Sequence, residues 1–409
     1  MFMRASCAFL SCPGSEERPV LESIRDQVRQ AQVLGRPLRL QGGDTKRFYG
    51  EPVRAETELD LRVYSGIVSH EPTELVITAR CGTPLSELEA ALAEKRQMLA
   101  FEPPAFGAAA TVGGMVAAGL SGPTRASAGA VRDFVLGAVL MDARGELLNF
   151  GGEVMKNVAG YDAARLLAGS LGVLGPIVQV SLKVLPLPAA RTTVLMSMDA
   201  AQALHCLNAW AGQPLPIAAS AWSAGQLMLR LQGAVAAVRA AATRLADSHG
   251  AQEQDPAAAD RFWADLREHR LPALAAGADL WRVSVPSVAP MLACEEPAVI
   301  EWGGALRWIR TTRSPAEIRS IAAAAGGSAA RFDRSAVAAS GLPGAEQSAA
   351  QSLDQVAEPA LQPSVLQPAA LQPPVLHPLS PAVLALHRRL KQAFDPKGIF
   401  NPGRMHAEF

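Results

Sequence analysis

Three glycine-rich stretches, spaced roughly 60 residues apart, constrain this chain more than any other feature. They are RLQGGDTKRFYG at 39–50, PPAFGAAATVGGMVAAGLSGP at 103–123 and GSLGVLGPIVQV at 169–180. The first follows a short alternating run, Pro37-Leu38-Arg39-Leu40, so it reads as a strand entering a tight turn. It lacks both the GxxxxGK[ST] spacing of a P-loop and the GxGxxG spacing of a Rossmann turn. Two readings remain for its paired glycines: an ordinary turn, or a nest whose successive backbone N–H groups point at one anion. The second stretch has almost no polar side chains, and Gly107, Gly113, Gly114, Gly119 and Gly122 let backbone approach a large flat ligand. The third sends Gly172 and Gly175 into a strand. Together they suit a long ligand with a diphosphate in its middle, bound by main chain from several segments.

Composition narrows the partner. With 409 residues the chain is long enough for two or three domains and a site between them. Lys+Arg 38 balances Asp+Glu 38 and aromatics are only 5%, which excludes a nucleic-acid footprint in the bulk numbers. Cys7, Cys12, Cys81, Cys206 and Cys294 are scattered without a CxxC pair, so neither a metal site nor an iron–sulfur cluster is expected. That usage fits a reducing cytoplasm. The opening MFMRASCAFLSCPGS is too short in apolar residues for a signal peptide. No run reaches the roughly 18 apolar residues of a spanning helix, so membrane association is expected only peripherally or through a partner.

Local patterns predict an α+β chain. Leu21, Ile24, Val28 and Ala31 recur at helical spacing up to Gly35; 74–79 reads as a strand; Thr83-Pro84 offers an N-cap and first-turn proline to a helix carrying Leu85, Leu88 and Leu92. A hairpin is expected from 135–141 through Asp142-Ala143-Arg144-Gly145 to 146–150. In 177–184, Val178, Val180, Leu182 and Val184 alternate with polar Gln179, Ser181 and Lys183. Beyond about 190 the chain turns Ala-rich, with tryptophans in RFWADLREHR, DLWRVSVPS and IEWGGALRWIR. Composition changes over 336–380, where Leu-Gln-Pro recurs every five residues at 361, 366 and 371 and once more as Leu376-His377-Pro378. This predicts a disordered insert or semi-rigid spacer, or else a proline-dependent docking site. A last helix over 384–394 precedes DPKGIFNPGRM.

The order LRLQGGDTKRFYG, ELVITARCGTPLSELEAAL, FEPPAFGAAATVGGMVAAGLSGPTR, GAVRDFVLGAVLMDARGELLNF and GSLGVLGPIVQVSLKVLPLP resembles a known FAD-binding domain. It is that of the p-cresol methylhydroxylase (PCMH) and vanillyl-alcohol oxidase superfamily. With KNVAGYD, IEWGGALRW and DPKGIFNPGRM, the chain is most similar to the FAD-binding E subunits of bacterial glycolate oxidases. The resemblance implies a two-subdomain FAD-binding domain over 1–190, an α+β cap over 191–335, the insert over 336–380, and a tail, 381–409, returning to the FAD domain. It implies an FAD-binding subunit of a complex that oxidises glycolate to glyoxylate, alongside a catalytic FAD subunit and an iron–sulfur subunit.

Carried over residue by residue, the resemblance implies that Gly42, Gly43, Asp44, Thr45 and Lys46 meet the FAD diphosphate with Thr111, Gly113 and Gly114. Gly119, Ser121 and Gly122 lie along the cofactor; the backbone of Gly172, Gly175, Ile177 and Val178 supports the adenosine end; Asn401 and Arg404 return to the flavin side. Relatives with covalent flavin have a His where Thr45 and Lys46 stand, so non-covalent FAD is expected. Relatives commonly have another glycine at Asp44, whose carboxylate is expected to turn outward toward Lys46 or Arg47. The cap lacks the histidine motif of related catalytic subunits: His205, His249 and His269 read as surface or capping residues. Arg282 and Arg307 are the charged residues expected to face the flavin, either to bind substrate or as a structural ion pair or a cation over Trp302 or Trp308. Tyr161 is expected to pack and Asp162 to cap a helix over 163–167. Two other readings stay open: a self-sufficient 2-hydroxy acid dehydrogenase of the D-lactate type, and a non-catalytic assembly subunit.

Overall fold

Helix Glu17–Leu34 buries Leu21, Ile24, Val28 and Ala31, and that face closes a small core over the parallel strands Leu38–Gln41 and Thr57–Asp60. The computed structural model describes residues 17–152, 163–275, 277–332, 334 and 374–407. The C-terminal tail adds a single parallel bridge, Leu38 to Phe400, at the edge of this first layer. Leu38 N–H donates to Ile399 O at 2.7 Å, Asn401 N–H donates to Leu38 O at 3.0 Å, and Ile399 and Phe400 enter the same core.

The second layer is a five-stranded antiparallel sheet in the order Ile67–Glu71, Val76–Arg80, Ile177–Lys183, Val135–Met141, Leu147–Gly151. Helices Leu85–Glu94 and Val112–Ala118 bury Leu85, Leu88, Leu92, Met115 and Val116 with Val180 and Leu182. Each such side chain contributes on the order of 2 kcal/mol. Two expectations change here. Gln179 and Ser181 are buried, because their strand is the middle one of the sheet; Ser181 Oγ satisfies itself on Thr78 Oγ1 at 2.7 Å. Thr83 does not cap the following helix, whose N-cap is Pro84. Its buried hydroxyl instead donates to Gly66 O and accepts the Gly66 N–H, at 3.1 and 2.8 Å. The hairpin turn forms as expected, with Asp142 Oδ1 accepting from the N–H groups of Arg144 and Glu146.

The remainder folds on an eight-stranded antiparallel sheet. Its order is Gln252–Glu253, Ala190–Ser197, Gln226–Gly233, Ile217–Ser223, Val299–Glu301, Leu306–Arg310, Leu280–Ser284, Ser328–Arg331. Helices Ala200–Ala211 and Val235–His249 cover one half of one face, and Pro315–Ala324 covers the other with Trp281, Val283 and Ile309. The opposite face carries Trp263, Trp302, Trp308 and Phe332 against Phe106, Ala118 and Leu120 of the second glycine stretch. This sheet is therefore a cap seated on the glycine-rich half. Side-chain contacts lock the seam: Glu102 pairs with Arg230 at 2.6 Å, the Glu268 carboxylate accepts the N–H groups of Ala105 and Phe106, and Trp302 Nε1 donates to Gly122 O at 3.0 Å.

The proline repeats at 361–373 lie outside the described residues. The end of the 336–380 segment does not: Arg331 N–H donates to Val375 O at 2.8 Å and Ala329 N–H to His377 Nδ1 at 3.3 Å, so it lies along the free edge of the cap's last strand. The last helix runs Pro381–Phe394 and is anchored by buried Lys391, which pairs with Asp395 at 2.7 Å and donates to Val173 O and Phe400 O. Among the described residues no helix is long and apolar enough to cross a membrane.

Candidate cofactor site

The turn after Leu38–Gln41 is pressed so tightly on the next segment that only glycine fits. A Cβ on Gly43 would lie 1.5 Å from Ala109 O, and one on Gly42 would lie 2.6 Å from Thr111 Oγ1. Thr111 is the N-cap of helix Val112–Ala118, its hydroxyl accepting the Gly114 N–H at 3.2 Å. Between turn and helix lies a cavity of about 150 Å³. It is lined by residues 42–47, Thr111, Gly114, Ala117, Ala118, Leu171, Asn401 and Arg404. Thus Gly42, Gly43, Asp44, Thr45, Lys46, Thr111, Gly114, Asn401 and Arg404 come together as the sequence implied.

Among the described residues, none of the five N–H groups of residues 42–46 has an acceptor, although this turn is half-buried. Buried N–H groups are rarely left without partners. Asp44 lies in the left-handed region at φ 57°, the kind of backbone from which an anion nest is built. The nest reading of the sequence therefore prevails over the ordinary turn, and the site fits a diphosphate.

Asp44 does turn aside, but chiefly to Arg39, whose Nη1 reaches both carboxylate oxygens at 3.1 Å; Arg47 adds a contact at 3.6 Å. Lys46 takes no part. Its Nζ donates to Ala105 O at 3.1 Å and Thr45 Oγ1 at 3.3 Å, and burial brings its pKa down to about 8 against the pull of Glu268. Arg39 was missed because a lone charge on an alternating strand looks like solvent-facing surface. Asn401 ties three segments together: its Oδ1 accepts the Leu40 N–H and its Nδ2 donates to Leu171 O, both at 2.8 Å. Arg404 gathers the carbonyls of Lys46, Tyr49, Gly50 and Glu51, and burial lowers its pKa to about 10. Both residues shape the turn rather than merely edging the cavity.

Other implied residues stand away from this cavity. Gly113 lets the helix abut Cys81, Gly172 lets the chain pass Asn401, and Gly175 lets it pass Met141 O; Ile177 and Val178 are buried in their strand. None of these five lines the cavities described here. Gly119 ends its helix at φ 64° and lines a second cavity of about 220 Å³, which shares Ala118 and Leu171 with the first. Arg125, Arg132, Gly169 and cap residue Arg282 also line it.

Ser121 and Gly122 lie further on, at a third cavity of about 20 Å³, with Arg282, Glu301, His269 and Trp308. His269 is neither surface nor cap: its ring meets Trp308, Phe332 and Phe106, its Nδ1 is buried without a hydrogen-bond partner among the described residues, and burial holds its pKa down to about 3. Glu301 is buried, accepts from Trp308 Nε1 at 2.7 Å, and is pushed up to about 7 by burial. Arg307 does not face this side. Strand alternation turns it to the helix-covered face, where it donates to the carbonyls of Gly304, Ala289 and Pro290. Tyr161 and Asp162 lie outside the described residues.

A main-chain diphosphate cradle under a mixed cap is the build of an FAD-linked oxidase. Residues 20–151 match the FAD binding domain family and residues 375–405 the C-terminal domain of FAD linked oxidases. The glycolate oxidase subunit GlcE of Escherichia coli (strain K12) is 43% identical over 387 residues, covering 95% of this chain and 97% of that one. A D-lactate dehydrogenase of Archaeoglobus fulgidus is 28% identical over 48% of this chain and 44% of its own length. A solved alkyldihydroxyacetonephosphate synthase superimposes with a TM-score of 0.58 at 15% identity, over 93% of this chain and 75% of that one, which shows the shared fold. The chain belongs to the family of the glycolate oxidase subunit GlcE.

Proposed function

We propose that this chain is the FAD-binding subunit of a glycolate oxidase (glycolate dehydrogenase) complex. In it a second FAD subunit oxidises glycolate to glyoxylate and an iron–sulfur subunit takes the electrons. The row of acceptor-free N–H groups at residues 42–46 carries this reading, since it is the kind of contact a diphosphate needs and a protein interior avoids. Similarity to the E. coli subunit over nearly the whole of both chains supports the glycolate assignment. When bound, FAD supplies acceptance of a hydride or of electrons. The chain's own residues do the rest. The 42–46 amides hold the diphosphate, Asn401 and Arg404 fix the turn that carries them, and Gly119 and Gly169 keep the way toward the cap open. The FAD is non-covalent, and the complex meets any membrane through its partners.

The test is to purify the chain alone, record its visible spectrum, release the flavin with acid, and add glycolate without oxygen. Releasable FAD that stays oxidised until the partner subunits are added is the expected result. A colourless chain that takes up no FAD overturns the proposal. Bleaching by glycolate in the single chain would replace it with a self-sufficient dehydrogenase.

A further inference from the structure

We propose that residues 374–378 form a strap that retains FAD, fastening the edge of the cap to loop 49–51 of the FAD domain and coming off when the cofactor enters or leaves. The inference rests on the FAD-subunit reading and deepens it. The strap lies along the free edge of Ser328–Arg331, where Val375 O accepts the Arg331 N–H at 2.8 Å and His377 Nδ1 accepts the Ala329 N–H at 3.3 Å. Arg319, on the cap helix Pro315–Ala324, donates to the carbonyls of Pro374 and Leu376. The Val375 N–H donates to Glu51 Oε1 at 2.5 Å, which among the described residues is the strap's one hydrogen bond to the FAD domain. A cation from the cap and a carboxylate from the FAD domain thus clamp one short backbone.

Leu376 lines the 220 Å³ cavity with Tyr49 and Arg282, so the strap forms part of that cavity's wall. A cofactor reaching from the first cavity into the second passes it. Pro374 and Pro378 have no N–H to give, and the segment cannot zip onto the cap as a ninth strand. It is held at a few half-exposed points, whereas the Arg230 side of the Glu102 pair across the seam is 4% exposed. Segments held in this way open at the lowest free energy. Glu51 adjoins the cradle through its main chain: its N–H donates to Arg404 O, and its carbonyl accepts from Arg404 Nη1. Its carboxylate holds the strap instead. The strap can therefore come off without moving the turn that Arg404 shapes.

The test measures both FAD release and FAD uptake in the full chain. Release is read as the flavin absorbance that the FAD-loaded chain keeps at timed intervals after dilution and desalting. Uptake is read as the change in flavin fluorescence on mixing FAD with apoprotein. Glu51→Ala removes the acceptor of the Val375 N–H and should speed both processes about tenfold, the loss expected of a hydrogen bond to a charged group. The dissociation constant should change less than either rate. Glu51→Gln keeps an oxygen in place and should stay near wild type. Arg319→Ala loosens the strap from the cap side, at a residue that lines neither cavity, and should speed both rates likewise. Faster hydrogen exchange at the Arg331 and Val375 amides reports the strap's release in both alanine variants. Arg319 also rests on the Trp281 ring, so Glu51→Ala alone decides if Arg319→Ala does not fold.

A chain that holds FAD and exchanges it at wild-type rates in Glu51→Ala overturns the strap and leaves the parent reading standing. Faster release with unchanged uptake also overturns it, since that is the mark of a damaged cradle. A chain that takes up no FAD overturns both readings together, and its absorbance shows this before any rate is measured.

Discussion

The two halves of this site are built from different material. Around the proposed diphosphate cradle the material is main chain: five amides of residues 42–46, glycines whose Cβ would collide with backbone, and an arginine and an asparagine occupied mostly with carbonyls and amides. Across the seam it is side chains, with Trp302, Arg125, Arg282, Glu301 and His269 packed or poised on a β-sheet. A main-chain site tolerates losing a side chain and fails on gaining one. A side-chain site does the reverse.

The hardest blow to the cradle is therefore the smallest substitution. In Gly43→Ala the new methyl meets Ala109 O at 1.5 Å, a backbone atom that cannot swing away. Destabilisation of at least about 4 kcal/mol is expected, the range reserved for such clashes, with loss of bound FAD. Urea denaturation and flavin absorbance check it, and a variant that retains both would show that the turn is not as tight as described.

At the seam the largest effect comes from removing a charge. Arg230 is 4% exposed and pairs with Glu102 across the two halves at 2.6 Å. Glu102→Gln leaves a buried guanidinium half-partnered, which costs about 3 kcal/mol, the low end for a broken buried pair because Glu102 is partly exposed. Replacing both, Glu102→Leu with Arg230→Met, is expected to restore most of the loss. A double-mutant cycle showing no coupling would remove the pair from the list of what holds cap to FAD domain.

The contrast also explains what could be read from sequence. Gly42, Gly43, Thr111 and Gly114 were legible because a backbone site demands glycine and a cap residue at fixed places, and such demands leave a spacing. Ser181 and Gln179 misled, because alternation says which face a residue takes but not whether another layer covers it. On the cap side almost nothing was legible. Glu301 and Arg125 are single residues, 176 positions apart, brought to neighbouring cavities only by the docking of one sheet on one loop. Arg282 and Arg307 looked alike in sequence, and only the register of their strands sends one to the cavity and the other to the helices.

Glu301 offers a pH-resolved version of the comparison. Burial raises its pKa from 4.5 to about 7, with Glu102 adding to the rise and Trp308 and Arg282 opposing it. Below pH 4.5 the carboxyl is protonated in both folded and unfolded chains and has no effect on the pH dependence. Between 4.5 and 7 the unfolded chain releases the proton first, so folding loses stability as pH rises, by about 3 kcal/mol for a shift of this size. Glu301→Gln keeps an oxygen for Trp308 Nε1 and removes the charge, so its advantage over wild type should grow from near zero at pH 4.5 to about 3 kcal/mol above pH 7. Parallel stability profiles for the two proteins would contradict the burial of this carboxylate.

The smallest effect is expected where a charged side chain stands in the main-chain half. Asp44 occupies the left-handed region at φ 57°, which glycine enters freely and most other residues at a cost of about 1–2 kcal/mol. Against that strain stand its contacts with Arg39 and Arg47. At 29% side-chain exposure such pairs contribute at most about 1 kcal/mol. Asp44→Gly should therefore change stability by less than about 1 kcal/mol in either direction. It also removes a negative charge from the rim of an anion site and releases Nη1 of Arg39, which keeps its pair with Glu58 through Nε and Nη2. FAD affinity should therefore be equal or tighter in a fluorescence titration of the apoprotein. A tenfold loss would mean that the Arg39–Asp44 pair holds the turn in the shape that lets five amides face one anion. The cradle would then depend on a side chain after all, and the line drawn between the two halves would have to move.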